Sequence, residues 1–260
     1  MRGTFIVLVL SLLLCGTLAA EPALAASALR FSPPPRLGEI PAVTYDADGH
    51  PIGRARLAMT RTGEGLRINV ETTLDNGERS SLSAAMRRLD DGRFQLVSQS
   101  ARTFDAQGVL TRAMDLDHVH ARGRCRLPSG EVRTVALPAH DRIANVPLNL
   151  LLRPLVTGVA QRVRFQTFVC GDTVRIVDTE ASRVGPPAGE RSGLVEVRYR
   201  FDLGLGLSLL ARPFLPRIRF WFDAQRPNVW VGYRLPLYSD GPTVLVLRNG
   251  VNPAELSDGG

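Results

Sequence analysis

Alternation of apolar and polar residues, interrupted by tight-turn signals, is the feature that most restricts how this 260-residue chain can fold. The stretch 66–74 shows the pattern clearly, with apolar or β-branched side chains at every second position: Leu66, Ile68, Val70, Thr72 and Leu74. Asn76-Gly77 follows, and Asn-Gly between alternating segments strongly indicates a hairpin. Turn signals recur every ~8–15 residues. We therefore predict a mainly β protein, an antiparallel meander that forms a curved sheet or an incomplete β-barrel.

The stretch 137–158 departs from this pattern and predicts a helix. It is rich in leucine, and its polar residues Asn149, Arg153 and Thr157 recur every fourth position, which places them in one narrow stripe on a helix. A helix that is apolar almost all round must be buried. We expect it to pack on the concave face of the sheet, with a second short helix or a loop at 204–216.

The N-terminal sequence predicts a secretory signal peptide. A basic start precedes an apolar run, Phe5 to Leu14, and Ala23-Leu24-Ala25 then forms an A-x-A cleavage site. Cleavage near Ala25 would deliver the protein to the periplasm or the medium. Lipid attachment at Cys15 is the alternative, although the preceding Leu12-Leu13-Leu14 places a bulky Leu where a lipoprotein signal prefers a small residue.

The pattern divides the chain into four parts. Residues 1–25 are the signal peptide, and 26–41, with three consecutive prolines, form an extended leader. Residues 42–250 form a single β-rich domain, and 251–260 form a flexible tail.

Cys125 and Cys170 are the two cysteines of the predicted mature chain. In an oxidising compartment such a pair predicts a disulfide. It would tie the strand before the helix to the strand after it and stabilise the fold by roughly 4 kcal/mol on the chain-entropy model. Two buried free thiols are the alternative.

The charge distribution argues against nucleic-acid binding. All 32 basic residues are arginine, and the formal net charge is +7. The arginines are scattered, often at alternate strand positions, whereas a nucleic-acid site concentrates them on one face among aromatic residues. Contact with an anionic membrane surface through net charge remains an expectation. The sequence predicts no cofactor, and it does not indicate an oligomeric state.

His118 and His120 are the candidate metal ligands. In a strand, residues i and i+2 point to the same face, so both imidazoles could reach one ion. No Glu follows nearby, where Arg122, Gly123 and Arg124 stand. A metal-dependent β-barrel enzyme built on these histidines is the enzymatic hypothesis.

A hydrophobic cavity is the other candidate site. Its expected lining combines the helix with aromatic residues of the later strands: Leu148, Leu151, Leu152, Leu155, Phe165, Trp221 and Trp230. Phe220 and Phe222 point away from Trp221, so that strand is apolar on both faces.

Taken together, the signal peptide, the meander, the Leu-rich helix after Leu137-Pro138 and the closing hairpin from Phe220 to Tyr233 resemble bacterial envelope proteins related to the LolA/LolB-type lipoprotein carriers. The resemblance implies an incomplete β-barrel over helices, with a cavity for acyl chains. The first hypothesis is thus a non-enzymatic envelope protein that binds a lipid, a lipoprotein acyl chain or another hydrophobic ligand. The second is an envelope interaction module whose helix plugs the sheet and leaves no cavity.

Overall fold

The computed structural model describes residues 27–171, 173–184, 193–202, 218–226, 229–238 and 241–256. The predicted signal peptide, Cys15, the whole 204–216 stretch and the last four residues of the tail lie outside these ranges. The strands of the first half are β1 Gly38–Tyr45, β2 Pro51–Thr62, β3 Gly65–Leu74, β4 Arg79–Arg88, β5 Phe94–Phe104, β6 Leu110–Asp117, β7 Arg122–Arg126 and β8 Val132–Ala136. Those of the second half are β9 Arg162–Cys170, β10 Val174–Val184, β11 Leu194–Asp202, β12 Ile218–Asp223, β13 Trp230–Pro236 and β14 Thr243–Arg248.

These strands form one antiparallel sheet of 14 strands in the order β8-β7-β6-β5-β4-β3-β2-β1-β14-β13-β12-β11-β10-β9. Every neighbouring pair except one joins strands that follow each other in the chain. The exception is β1 with β14, paired from Ala42 opposite Arg248 to Tyr45 opposite Leu245. The sheet is a meander that is not closed by hydrogen bonds between β8 and β9, which confirms the predicted fold class.

The sheet curls until its two ends meet at a seam without a strand ladder, formed by β6–β8 on one side and β9–β10 on the other. β7 and β9 are twelve strand spacings apart in the sheet order, roughly 58 Å in a flat sheet. The Cα atoms of Cys125 and Cys170 nevertheless lie 5.7 Å apart, joined by the predicted disulfide. Leu116, Phe168 and Ile143 are fully or almost fully buried beside it.

A glycine permits the close approach at this seam. A Cβ atom on Gly123 of β7 would lie only 2.9 Å from the ring of Phe168 on β9. Any larger side chain there would push the two ends of the sheet apart.

Two single-turn helices, α1 Leu148–Leu151 and α2 Arg153–Val156, replace the one helix expected from the sequence. Pro154 lacks the N–H that would continue the hydrogen-bond ladder, so the helix is interrupted at Leu152. Both turns pack inside the curve of the sheet, where Leu152 and Leu155 are fully buried. Among the described residues no helix is long and apolar enough to cross a membrane.

The residues before β1, within the expected leader, belong to the fold. Phe31 is fully buried, and its backbone exchanges two hydrogen bonds of 2.9 Å with Phe94 at the start of β5. β1 begins at Gly38, so residues 38–41 are sheet rather than leader. At the other terminus, Pro253–Leu256 forms a 3₁₀ turn.

Candidate ligand-binding cavity

An apolar cavity of about 70 Å³ lies between the start of α1 and the inner face of the sheet. Strands from both halves of the chain, β1–β4 and β12–β14, form its wall. The chain from Asn145 to Asn149 crosses one side of it. Among the strand residues that line it, Arg56 is charged, and its guanidinium pairs with Glu39 and Glu71. The others are aliphatic or aromatic: Ala42, Ala55, Leu57, Ile68, Val70, Leu82, Phe220, Trp230, Tyr233, Leu235 and Val246.

A buried polar network fixes the segment that enters the cavity. The side-chain oxygen of Gln99 accepts the backbone N–H groups of Asn145 at 2.7 Å and Val146 at 2.9 Å. The Asn145 side chain in turn donates to the carbonyl of Phe168 at 2.8 Å and accepts its N–H at 3.1 Å. The backbone before α1 is therefore held on both sides, which positions Leu148 at the cavity.

His118 completes this network and has a defined tautomer. Because the Gln99 oxygen already accepts two N–H groups, its amide nitrogen is the atom that faces His118 Nε2, at 2.7 Å. Nε2 must then accept, and Nδ1 carries the proton that is donated to the Asp141 carboxylate at 2.9 Å. The carboxylate also accepts the N–H of Ile143 at 2.9 Å. Gln99, His118 and Asp141 are all at least 97% buried.

The structure does not bring His118 and His120 together. β6 ends at Asp117. The Asp117 carboxylate accepts the N–H groups of Val119 and His120, each at 3.0 Å, and these bonds form a turn after the strand. The expected strand geometry is therefore wrong: His118 is fully buried, while His120 is exposed and bonded to Asp117 at 2.6 Å. Both ring nitrogens of His118 already have protein partners.

The turn between β1 and β2 contains another group of potential metal ligands, Asp46, Asp48 and His50. The Asp46 side chain accepts the N–H of Asp48 at 2.9 Å and that of His50 at 2.8 Å. The pKa of this carboxyl is lowered chiefly by the backbone hydrogen bond from His50. These contacts are those of a tight turn, which is sufficient to explain the group.

The predicted cavity residues divide into three sets. Leu148 and Trp230 line the cavity. Leu151, Leu152, Leu155 and Phe165 are buried deeper in the same core but do not line it. The expectation for Trp221 is wrong: it lies on the opposite face of the sheet, in a small cluster with Val231, Leu245 and Leu247 onto which Leu256 packs. Both faces of β12 are therefore covered.

Sequence reasoning missed Gln99, Asp141, Ala42 and Ala55. A register shift between β4 and β5, where Ala85 pairs with Ser98 but Met86 pairs with Leu96, changes the phase of the alternation and turns Gln99 inward. Asp141 resembles an ordinary turn residue in the sequence. Ala42 and Ala55 face each other across β1 and β2, and their small size gives the cavity its volume.

Tyr199, which is buried in the main hydrophobic core, predicts a loss of stability at alkaline pH. Burial raises the pKa of Tyr199 to about 12, against about 10 in an unfolded chain. The folded state therefore holds this proton more tightly. The free energy of unfolding is expected to be unaffected below about pH 10 and to fall by up to ~1.4 kcal/mol per pH unit between about pH 10 and about pH 12.

Urea unfolding across this pH range, for the wild type and for Tyr199→Phe, measures the effect. The slope should be smaller in the variant but not zero, because burial also raises the pKa of Tyr233. Identical slopes in the two proteins would contradict the assignment.

The fold and cavity define the protein as an open, β-barrel-like protein with a small apolar interior site. No family model matches the sequence, and no curated protein matches it. A crystal structure of a β-barrel-like protein of the domain of unknown function DUF1849 from Brucella abortus is similar, at 12% identity, with a TM-score of 0.41 over 86% of this chain and 100% of that one. So weak a likeness supports no inference about function. The resemblance to LolA/LolB-type carriers stays a prediction.

Proposed function

We propose that this protein is a non-enzymatic binding protein of the cell envelope that holds the end of an acyl chain in its half-barrel. The supporting observation is the apolar cavity, whose strand lining is aliphatic or aromatic except for Arg56, and Arg56 pairs its guanidinium with Glu39 and Glu71. Tyr233 contributes the one hydroxyl of that strand lining. Such a lining favours hydrocarbon over any polar ligand. The polar side chains of Asn145 and Asn149 stand on the side where the chain enters α1.

The size of the cavity sets the kind of ligand. About 70 Å³ is well below the several hundred Å³ that usually enclose a whole small ligand. The proposed occupant is therefore a single chain end, with the rest of the lipid outside the barrel.

The envelope location rests on two features. The N-terminal sequence has the order of a secretory signal peptide. The disulfide between Cys125 and Cys170 is typical of oxidising compartments and rare in the cytosol.

The two tryptophans provide a direct test, because Trp230 lines the cavity and Trp221 lies on the other face of the sheet. A fatty acid brominated near its methyl end quenches tryptophan on contact. In Trp221→Phe, which keeps Trp230, we expect saturable quenching. In Trp230→Phe, which keeps Trp221, we expect none above the level caused by collision in solution.

A cavity-filling variant provides the matched control. Ala55→Leu places a larger side chain in the cavity and should weaken quenching at least tenfold. Ala58→Leu makes the same change on the opposite face of the same strand, where Ala58 is partly exposed, and should bind normally. Equal quenching of both tryptophans, or equal binding by both alanine variants, would contradict the proposal.

A further inference from the structure

β8 ends the sheet with a free edge. Leu137 N–H donates to Ala121 O at 2.8 Å, and Leu127 N–H donates to Glu131 O at 2.8 Å. These bonds fix the alternation, so Arg133 and Val135 turn their backbone groups toward β7. The N–H and C=O groups of the outward set therefore point away from the sheet: Val132, Thr134 and Ala136. No backbone hydrogen bond joins them to any residue in the described ranges.

The opposite edge is protected at its centre. Beside β9, the N–H of Ala144 donates to Gln166 O at 2.9 Å, and the N–H of Gln166 donates to Arg142 O at 2.7 Å. The segment 142–144 therefore covers the middle of the β9 edge. β8 has no such cover within the part of the chain that the structure describes, and unpaired edges readily accept another strand.

A row of arginines runs beside the free edge on the outer face of β7. Arg122, Arg124 and Arg126 are exposed, and they form no side-chain hydrogen bond or ion pair with any described residue. The nearby carboxylates already have partners: Asp115 bonds Arg102 at 2.6 Å, and Asp117 bonds His120 at 2.6 Å.

The surface between the arginines and the edge is unobstructed. The β8 residues opposite them are short: Ala136 faces Arg122, Thr134 faces Arg124 and Val132 faces Arg126. A groove of about 770 Å³ opens over this surface and over the neighbouring strands β5 and β6. Its lining includes Arg122, Arg124, Val132 and Thr134, and also the two ion-paired carboxylates Asp115 and Asp117. The side chains of these arginines can therefore extend over β8 toward a strand that pairs with its outer edge.

We propose that the β8 edge binds an extended acidic segment of a partner protein as an added strand. Main-chain hydrogen bonds to Val132, Thr134 and Ala136 would give affinity, and carboxylates at alternate positions would meet the arginine row. The added strand lies about 9–10 Å from β7, a distance that a glutamate and an arginine side chain span together. This site is independent of the interior cavity.

A synthetic peptide of alternating glutamate and valine, with a fluorescent label, is the probe. We expect the wild-type protein to bind it and not to bind the same peptide with lysine in place of glutamate. Thr134→Pro removes an outward N–H without breaking the ladder to β7 and should weaken binding at least tenfold. Thr134→Ala keeps that N–H and should change binding less than twofold.

The charge contribution has its own matched pair of variants. The double variant Arg122→Glu with Arg124→Glu should weaken binding at least tenfold. Arg67→Glu, at an exposed position of the central strand β3, should change it less than twofold.

Three results would overturn the proposal. The first is equal binding of the acidic and lysine peptides, and the second is unchanged binding by Thr134→Pro in protein that retains its disulfide and strand circular dichroism. The third is a wild-type dimer in sedimentation equilibrium that Thr134→Pro dissociates, because the edge would then belong to a second copy of this chain.

Discussion

His118→Ala is expected to lower the free energy of unfolding by about 3–5 kcal/mol. The substitution removes the N–H that the buried Asp141 carboxylate accepts at 2.9 Å and the acceptor that faces the Gln99 amide at 2.7 Å. Both remaining groups are almost completely buried, so water cannot readily replace the lost partner. The loss should appear in urea unfolding followed by tryptophan fluorescence.

His120→Ala is the matched control. It lies two residues away, but its side chain is 73% exposed, so its removal should change the free energy of unfolding by less than about 0.5 kcal/mol. If His118→Ala costs less than about 1 kcal/mol, the network does not hold the segment before α1 as described.

Removal of the disulfide is the second large expected effect. Replacing both Cys125 and Cys170 with alanine should lower the free energy of unfolding by about 4 kcal/mol on the chain-entropy model, since the two residues are 45 positions apart in the sequence. The location of the bond adds a structural reason: it joins two ends of a sheet that share no strand ladder.

Hydrogen exchange distinguishes the general chain-entropy effect of the disulfide from its local effect at the seam. In the double alanine variant, protection should fall most in β7, β8 and β9, while the β1–β4 meander keeps its protection. Reducing agent should destabilise the wild type and leave the variant unchanged. A uniform loss of protection across the sheet would contradict a special role at the seam.

The sequence predicted the strands well because their signals are local. The alternation over 66–74 and the Asn76-Gly77 turn specify one strand and one hairpin without reference to the rest of the chain. The two cysteines outside the predicted signal peptide predicted the disulfide because an even pair has few other roles in the oxidising compartment that such a peptide implies. Neither signal required knowledge of which distant strands pair.

The candidate site was predicted only in part. Leu148 and Trp230 line the cavity, but Trp221 does not, because β12 is covered on both faces and the sequence cannot say which face is the interior. The placement of His118 and His120 on a strand failed because Asp117 caps a turn there. One register shift in β5 was enough to turn Gln99 into the core.

By itself, the sequence determined that this chain folds as an antiparallel meander with a buried, leucine-rich break, since period-two patterning and turn residues act over a few positions. The tertiary structure decided the rest: the pairing of β1 with β14, the curl that leaves β8 as an edge, and the contacts of His118 with Gln99 and Asp141. These features depend on which segments meet in space. A local pattern specifies which face of a strand is apolar, but not what that face or edge will contact.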